Sequence, residues 1–108
     1  MLGIMPPYPG ATRPLRAWER ENRAIALTGD RPDRVVAYYL GRLAAAGWKP
    51  EPQDAATAVV DARNGLPVWI EFRRSGVGRL DLQVTSGSRS GKTVTLIFYE
   101  KEFTRAKL

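Results

Sequence analysis

Val35, Val36, Tyr39, Leu40 and Leu43 recur at three- and four-residue spacing, in a stretch that opens on Asp30 and Pro32 and closes on Gly47-Trp48. This is the pattern of an amphipathic helix with one buried face. Asp30 reads as the N-cap, its carboxylate accepting from the free N–H groups of the first turn. Pro32 suits the opening turn, where a missing N–H costs nothing, and Asp33 adds negative charge at the positive end of the helix dipole. Gly47 supplies the left-handed position after the last turn, from which Trp48 folds back onto the helix.

Beyond residue 54 the hydrophobic period shortens from helical to two. Residues 57–63 and 66–74 flank Asn64-Gly65, the dipeptide that two-residue hairpin turns favour because both central residues take positive φ. Residues 66–74 lead through Ser75-Gly76-Val77-Gly78 to 79–86, and a Gly/Ser-rich segment at 87–91 leads on to 92–100. These four segments predict a C-terminal antiparallel meander. Upstream, 13–18 and 23–28 read as short strands with Ile25 and Leu27 alternating toward the core. Pro50 and Pro52 make residues 49–54 a surface connector rather than a central strand. The fold class is therefore α+β: an N-terminal strand or hairpin, one amphipathic helix packed on an antiparallel sheet, and a C-terminal four-strand meander. A Pro/Gly-rich arm at 1–14 precedes a single domain at 15–103, and 104–108 is a basic tail.

Residues that face each other across a sheet share a side, so loop positions imply a register. With Gly76-Val77-Gly78 as one loop, Phe72 pairs with Leu82, Ile70 with Val84, and Arg73 with Asp81. With 87–91 as the next, Val84 pairs with Val94, Leu82 with Leu96 and Leu80 with Phe98. One face then holds Val68, Ile70, Phe72, Leu80, Leu82, Val84, Val94, Leu96 and Phe98, and takes the helix. The other holds Trp69, Glu71, Arg73, Asp81, Gln83, Thr85, Thr95, Ile97 and Tyr99, with Val60 opposite Trp69. A solvated face should be polar, and this one is mixed. It is expected to be covered, by the arm through Tyr8 or by another chain. The candidate interaction surface is thus Tyr8, Val60, Trp69, Arg73, Ile97 and Tyr99.

Composition removes more chemistry than it suggests. The 108 residues include no Cys and no His, so no disulfide, thiol nucleophile, zinc finger or His-based triad can be built. Ser86-Gly87-Ser88-Arg89-Ser90-Gly91-Lys92-Thr93 ends like a phosphate-binding loop, but Ser86 stands where that motif needs Gly, and a strand follows where it needs a helix. Gly76-Val77-Gly78 lacks the third glycine of a dinucleotide fingerprint. Glu71 and Asp81 are a carboxylate pair on neighbouring strands, with Arg73 placed to neutralise Asp81, so neither an enzyme nor a cofactor is expected.

The 17 Lys and Arg, 13 of them Arg, exceed the 11 Asp and Glu to give +6, which favours acidic partners. A nucleic-acid platform is accordingly the alternative reading, with Trp69 and Tyr99 stacking bases and Arg73, Arg79 and Lys92 holding phosphates. No apolar run is long enough to cross a bilayer as a helix, and Pro6, Pro7 and Pro9 break any secretory h-region in the first ten residues.

Pro9-Gly10-Ala11, Thr28-Gly29-Asp30, Val35-Val36-Ala37-Tyr38-Tyr39 and Ala46-Gly47-Trp48 together resemble a small domain of uncharacterised bacterial lipoproteins and other exported proteins. In that group a "PGA" arm and a strand precede a helix of the form VxxFYxxxLxxxGW, followed by a β-meander. Tyr38-Tyr39 here replaces the usual Phe-Tyr, and the lipobox cysteine has no counterpart. The resemblance implies an extracytoplasmic location and no known catalysis, and it carries no functional residues across. The function expected is a non-enzymatic protein-interaction or accessory-subunit domain of an extracytoplasmic or membrane-associated assembly, with a protein partner or a second copy of itself. A cytoplasmic location is the alternative.

Overall fold

A computed structural model of the chain describes residues 8–9, 16–18, 23–89 and 92–103. The 104–108 tail and the arm apart from Tyr8-Pro9 lie outside the described residues. Six strands and two helices follow one another as β1 (Arg16–Trp18), β2 (Arg23–Thr28), α1 (Pro32–Ala45), β3 (Lys49–Pro50), α2 (Pro52–Arg63), β4 (Val68–Arg74), β5 (Gly78–Arg89) and β6 (Lys92–Phe103). The strands form one antiparallel sheet in the order β1-β2-β6-β5-β4-β3. The fold is α+β, opening on the β1–β2 hairpin. Its C-terminal half is a run of four successive antiparallel neighbours, β3 to β6.

The first member of that run is not residues 57–63, which form most of α2. Asn64-Gly65 is a helix stop rather than a hairpin turn. Only Gly65 takes positive φ (80°), while Asn64 stays at −86°. Gly65 N–H donates to Ala62 O at 3.1 Å and Leu66 N–H to Asp61 O at 2.9 Å, which satisfies the carbonyls of the last turn. The same device ends α1: Gly47 (φ 93°) N–H donates to Ala44 O at 3.0 Å and Trp48 N–H to Leu43 O at 2.9 Å. Pro52 opens α2 as Pro32 opens α1. The predicted connector is in fact a two-residue edge strand followed by this helix, and an edge is where a proline is tolerated. Glu51 N–H prolongs its pairing onto Glu71 O at 2.8 Å, and the Asp54 carboxylate in the first turn of α2 accepts from Glu71 N–H at 3.1 Å.

Both helices lie on one face of the sheet. Val35, Val36, Tyr39 and Leu43 of α1 and Ala58 and Ala62 of α2 pack with Ile70, Phe72, Leu80, Leu82 and Val84 in a single core. Small alanines let α2 come close to β4. Asp33 in the first turn of α1 meets Arg63 in the last turn of α2 at 3.6 Å and tethers the helices to each other.

Asp30 is not the N-cap of α1, a position held by Arg31 without a side-chain bond. It ties together three parts of the chain instead. Its Oδ2 accepts from Tyr8 Oη at 2.5 Å and its Oδ1 from Arg31 N–H at 2.8 Å, while its carbonyl accepts from the buried Thr95 hydroxyl. Tyr8 packs edge-on against Tyr38, with ring centroids 5.1 Å apart, and is buried.

These contacts hold the Asp30 carboxyl below the usual carboxylate range, chiefly through the Tyr8 bond. Burial, and then the bond to Asp30, push the Tyr8 phenol up to about 12. A depressed carboxyl stabilises the fold above its unfolded pKa and loses that contribution as pH falls through its folded one. A raised phenol stabilises below its unfolded value of 10.0 and loses that contribution as pH rises through its folded one. Tyr8→Phe should therefore return the Asp30 carboxyl upward in an NMR titration and abolish the late phenol ionisation. An unchanged Asp30 titration would show that Tyr8 does not bind there.

Candidate functional site

The face of the sheet opposite the helices is built from alternate residues of four strands. β4 contributes Trp69, Glu71 and Arg73, and β5 contributes Arg79, Asp81, Gln83, Thr85 and Gly87. The register differs from the expected one in two ways. Phe72 pairs with Leu80 and Ile70 with Leu82, a shift of two residues that leaves every side chain on its predicted face. Arg73 consequently lies opposite Arg79, and Glu71 opposite Asp81.

The β5–β6 ladder continues to Arg89↔Lys92, so only two residues join the strands where five were expected. Val84 pairs with Ile97 and Leu82 with Tyr99, a shift of three. An odd shift turns a whole strand over. Thr95, Ile97 and Tyr99 are buried beneath the helices, and Val94, Leu96 and Phe98 look out on the helix-free face. β2 follows β6: Ile25 pairs with Phe98 and Leu27 with Leu96, which places both on the helix-free face and not in the core under α1.

The resulting face has two halves. Toward one end, Arg73 and Arg79 share one cross-strand row, and Glu71, Asp81 and Glu100 share the next. Arg73 meets Glu71 at 2.6 Å and Arg79 meets Asp81 at 3.7 Å. Burial pushes the Asp81 carboxyl up, Arg79 opposes this, and Glu71 and Glu100 reinforce it. Toward the other end the rows are Trp69-Gln83-Phe98-Ile25, Thr85-Leu96-Leu27 and Gly87-Val94. Trp69 is 62% exposed. Beside it, Leu27, Val94, Leu96 and residues 85–88 line a groove of about 270 Å³. The groove is open over Gly87, where a Cβ would meet no atom within 4 Å.

Of the six predicted surface residues, the structure brings only Trp69 and Arg73 onto this face. Ile97 and Tyr99 are core residues, Val60 is exposed on α2, and Tyr8 sits against α1 and Asp30. Trp69 and Tyr99 lie on opposite sides of the sheet and cannot form a stacking pair. Arg79 and Asp81 are present as an ion pair, and among the described residues no group of carboxylates is placed to hold a metal ion. The residues missed were Ile25, Leu27, Val94, Leu96 and Phe98. Their signal was the nearly unbroken apolar run from Val94 to Tyr99, which marks a strand buried on both sides. No described helix is long and apolar enough to cross a membrane. In comparisons with known proteins, no family, no curated protein and no solved structure matches this chain.

Proposed function

We propose that this chain is a non-enzymatic protein-interaction domain, an accessory subunit of a bacterial extracytoplasmic or membrane-associated assembly, and that the helix-free sheet face is what it presents. One observation carries the reading. β6 is apolar toward both sides, and β2 adds Ile25 and Leu27 to the same side as Leu96 and Phe98, although the helices pack on the other side alone. An antiparallel sheet meant for water on one side alternates, as β4 does. A contiguous apolar strip rimmed by charge is the usual form of a docking surface. The extracytoplasmic setting rests on the resemblance of the Pro9-Gly10-Ala11 and Ala46-Gly47-Trp48 motifs.

Nucleic acid is the weaker reading, because Glu71, Asp81 and Glu100 form a row across the same face and oppose phosphate. A photo-cross-linking residue at position 69, in cells making the protein, should give covalent protein adducts. The same residue at position 66, exposed beyond the end of α2, should give none. Equal yields from both positions would remove this face as the docking surface. Tight, salt-sensitive retention on an immobilised polyanion that Arg73→Gln abolishes would favour nucleic acid.

A further inference from the structure

β5 and β6 outrun their neighbours. β4 reaches no further along β5 than the Val68↔Val84 pair, and β2 stops on β6 at Thr28↔Thr95, while the β5–β6 ladder runs on without a bulge to Arg89↔Lys92. Residues 85–89 of β5 therefore have a described strand on one side only. Which of them offer main-chain groups to the open side follows from Glu71. Its N–H donates to the Asp54 carboxylate and its carbonyl accepts from Glu51 N–H, so both point away from β5. Successive residues of a strand turn these groups to opposite edges. Glu71↔Asp81 is thus a pair without hydrogen bonds, Val68↔Val84 is one with them, and the alternation continues to Ser86 and Ser88. Two N–H and two C=O groups stand in line where β4 has ended, and both serines are exposed.

We propose that this edge takes an extended segment of a partner protein as an added strand in line with β4, with an apolar side chain laid over Gly87 into the groove and an acidic residue paired with Arg89. The proposal rests on the reading of the helix-free face as a docking surface and names how the partner is held. Backbone donors and acceptors that alternate at strand spacing match another extended backbone. Sheets that are not to be extended blunt their edges with proline, charge, a bulge or a very short strand. This sheet does so at β3, which is two residues long and carries Pro50. Residues 85–88, Thr-Ser-Gly-Ser in an unbulged ladder, carry none of these.

The partner residue opposite Gly87 shares its side of the sheet and meets no Cβ across the pair. Its side chain has room to lean over Gly87 toward the half-buried Val94 and Leu96. At about 270 Å³ the groove lies below the roughly 300 Å³ at which small-molecule pockets begin, and it suits a single side chain. Charge selects the rest. Residues 85–94 include Arg89 and Lys92 and no acid, and the chain carries +6. Opposite charges paired across strands stabilise and like charges repel, so the residue facing Arg89 is acidic. In an antiparallel addition it lies two positions before the apolar one. The same charge disfavours a second copy of this chain, whose own residues 85–94 bring two cations and no acid.

The adduct formed in cells from position 69 is the readout, compared across backbone variants. Ser88→Pro removes an outward N–H and leaves the bonds to β6 in place, and an edge tolerates proline. It should lower the adduct yield roughly tenfold, as expected for one main-chain bond lost. Ser88→Ala keeps the backbone and should give the parent's yield. Ser86→Pro repeats the test at the second outward N–H, and an unchanged circular dichroism melt shows that each variant is folded. Hydrogen exchange on the purified chain needs no substitution: the Ser86 and Ser88 amides should exchange at least roughly tenfold faster than that of Gly87, which faces β6. Exchange as slow at both serines as at Gly87 would overturn the open edge. Parent-level adducts from both proline variants, or an equal loss in Ser88→Ala, would overturn strand addition and leave the docking reading standing. Adducts to a second copy of the chain would overturn the acidic partner. No adduct from position 69 in any background would remove the docking reading and this proposal with it.

Discussion

Ile97→Asp is expected to leave no folded protein, whereas Leu96→Asp, one residue earlier, should keep the parent's circular dichroism spectrum and cooperative urea transition. Ile97 is 1% exposed and lies across from Val84 on one side and Ala26 on the other, beneath the helices. A carboxylate there loses its hydration and faces an apolar core. The penalty is several kcal/mol even after relaxation, against a total stability of about 5–15 kcal/mol for a domain of ordinary size. Leu96 is partly buried on the helix-free face, where an added charge can still reach water, and the cost falls mainly on the proposed docking. The register inferred from loop lengths predicts the reverse, with Leu96 in the core and Ile97 outside. A folded Ile97→Asp beside an unfolded Leu96→Asp would therefore overturn the observed β5–β6 pairing.

Trp48→Ala should lower stability by about 3–5 kcal/mol, read as a fall in the urea midpoint with an unchanged slope. Trp48 is fully buried, and its backbone N–H closes the end of α1 on Leu43, itself fully buried. Truncation opens a cavity the size of an indole and removes the apolar contact that fixes the chain's exit from the helix. Trp48→Phe should lose about half as much. It keeps an aromatic ring in the site and discards an indole N–H that has no hydrogen-bond partner. A Trp48→Ala protein as stable as the parent would show that this side chain is not in the core.

The site was legible only in part. Trp69 was found because β4 alternates, with Val68, Ile70 and Phe72 toward the helices and Trp69 between them, and such a strand declares its own faces. β6 does not alternate, so both faces of it satisfy the core equally well, and local pattern cannot say which one the helices take. That ambiguity moved Ile97 and Tyr99 into the expected surface and Leu96 and Phe98 into the expected core. It also hid the groove, which needs Leu27, Gly87, Val94 and Leu96 from three strands at once.

Helix α1, the turn at Gly47, the β4–β5 hairpin and the absence of thiol and imidazole chemistry were determined by the sequence itself. Each depends on residues within a few positions of one another, where steric and hydrogen-bonding rules act directly. Three things were decided only by the tertiary structure. Asn64-Gly65 serves as a hairpin turn or a helix stop with equal ease, since both use a glycine at positive φ; α2 prevails because Ala58 and Ala62 find room against α1 and β4. Asp30 could cap its own helix, yet it binds Tyr8 from 22 residues away once the fold has brought that ring to it. The face of β6 was settled by two linking residues in place of five, because an odd change of register exchanges a strand's sides, and only pairing along the whole ladder fixes how long that link is.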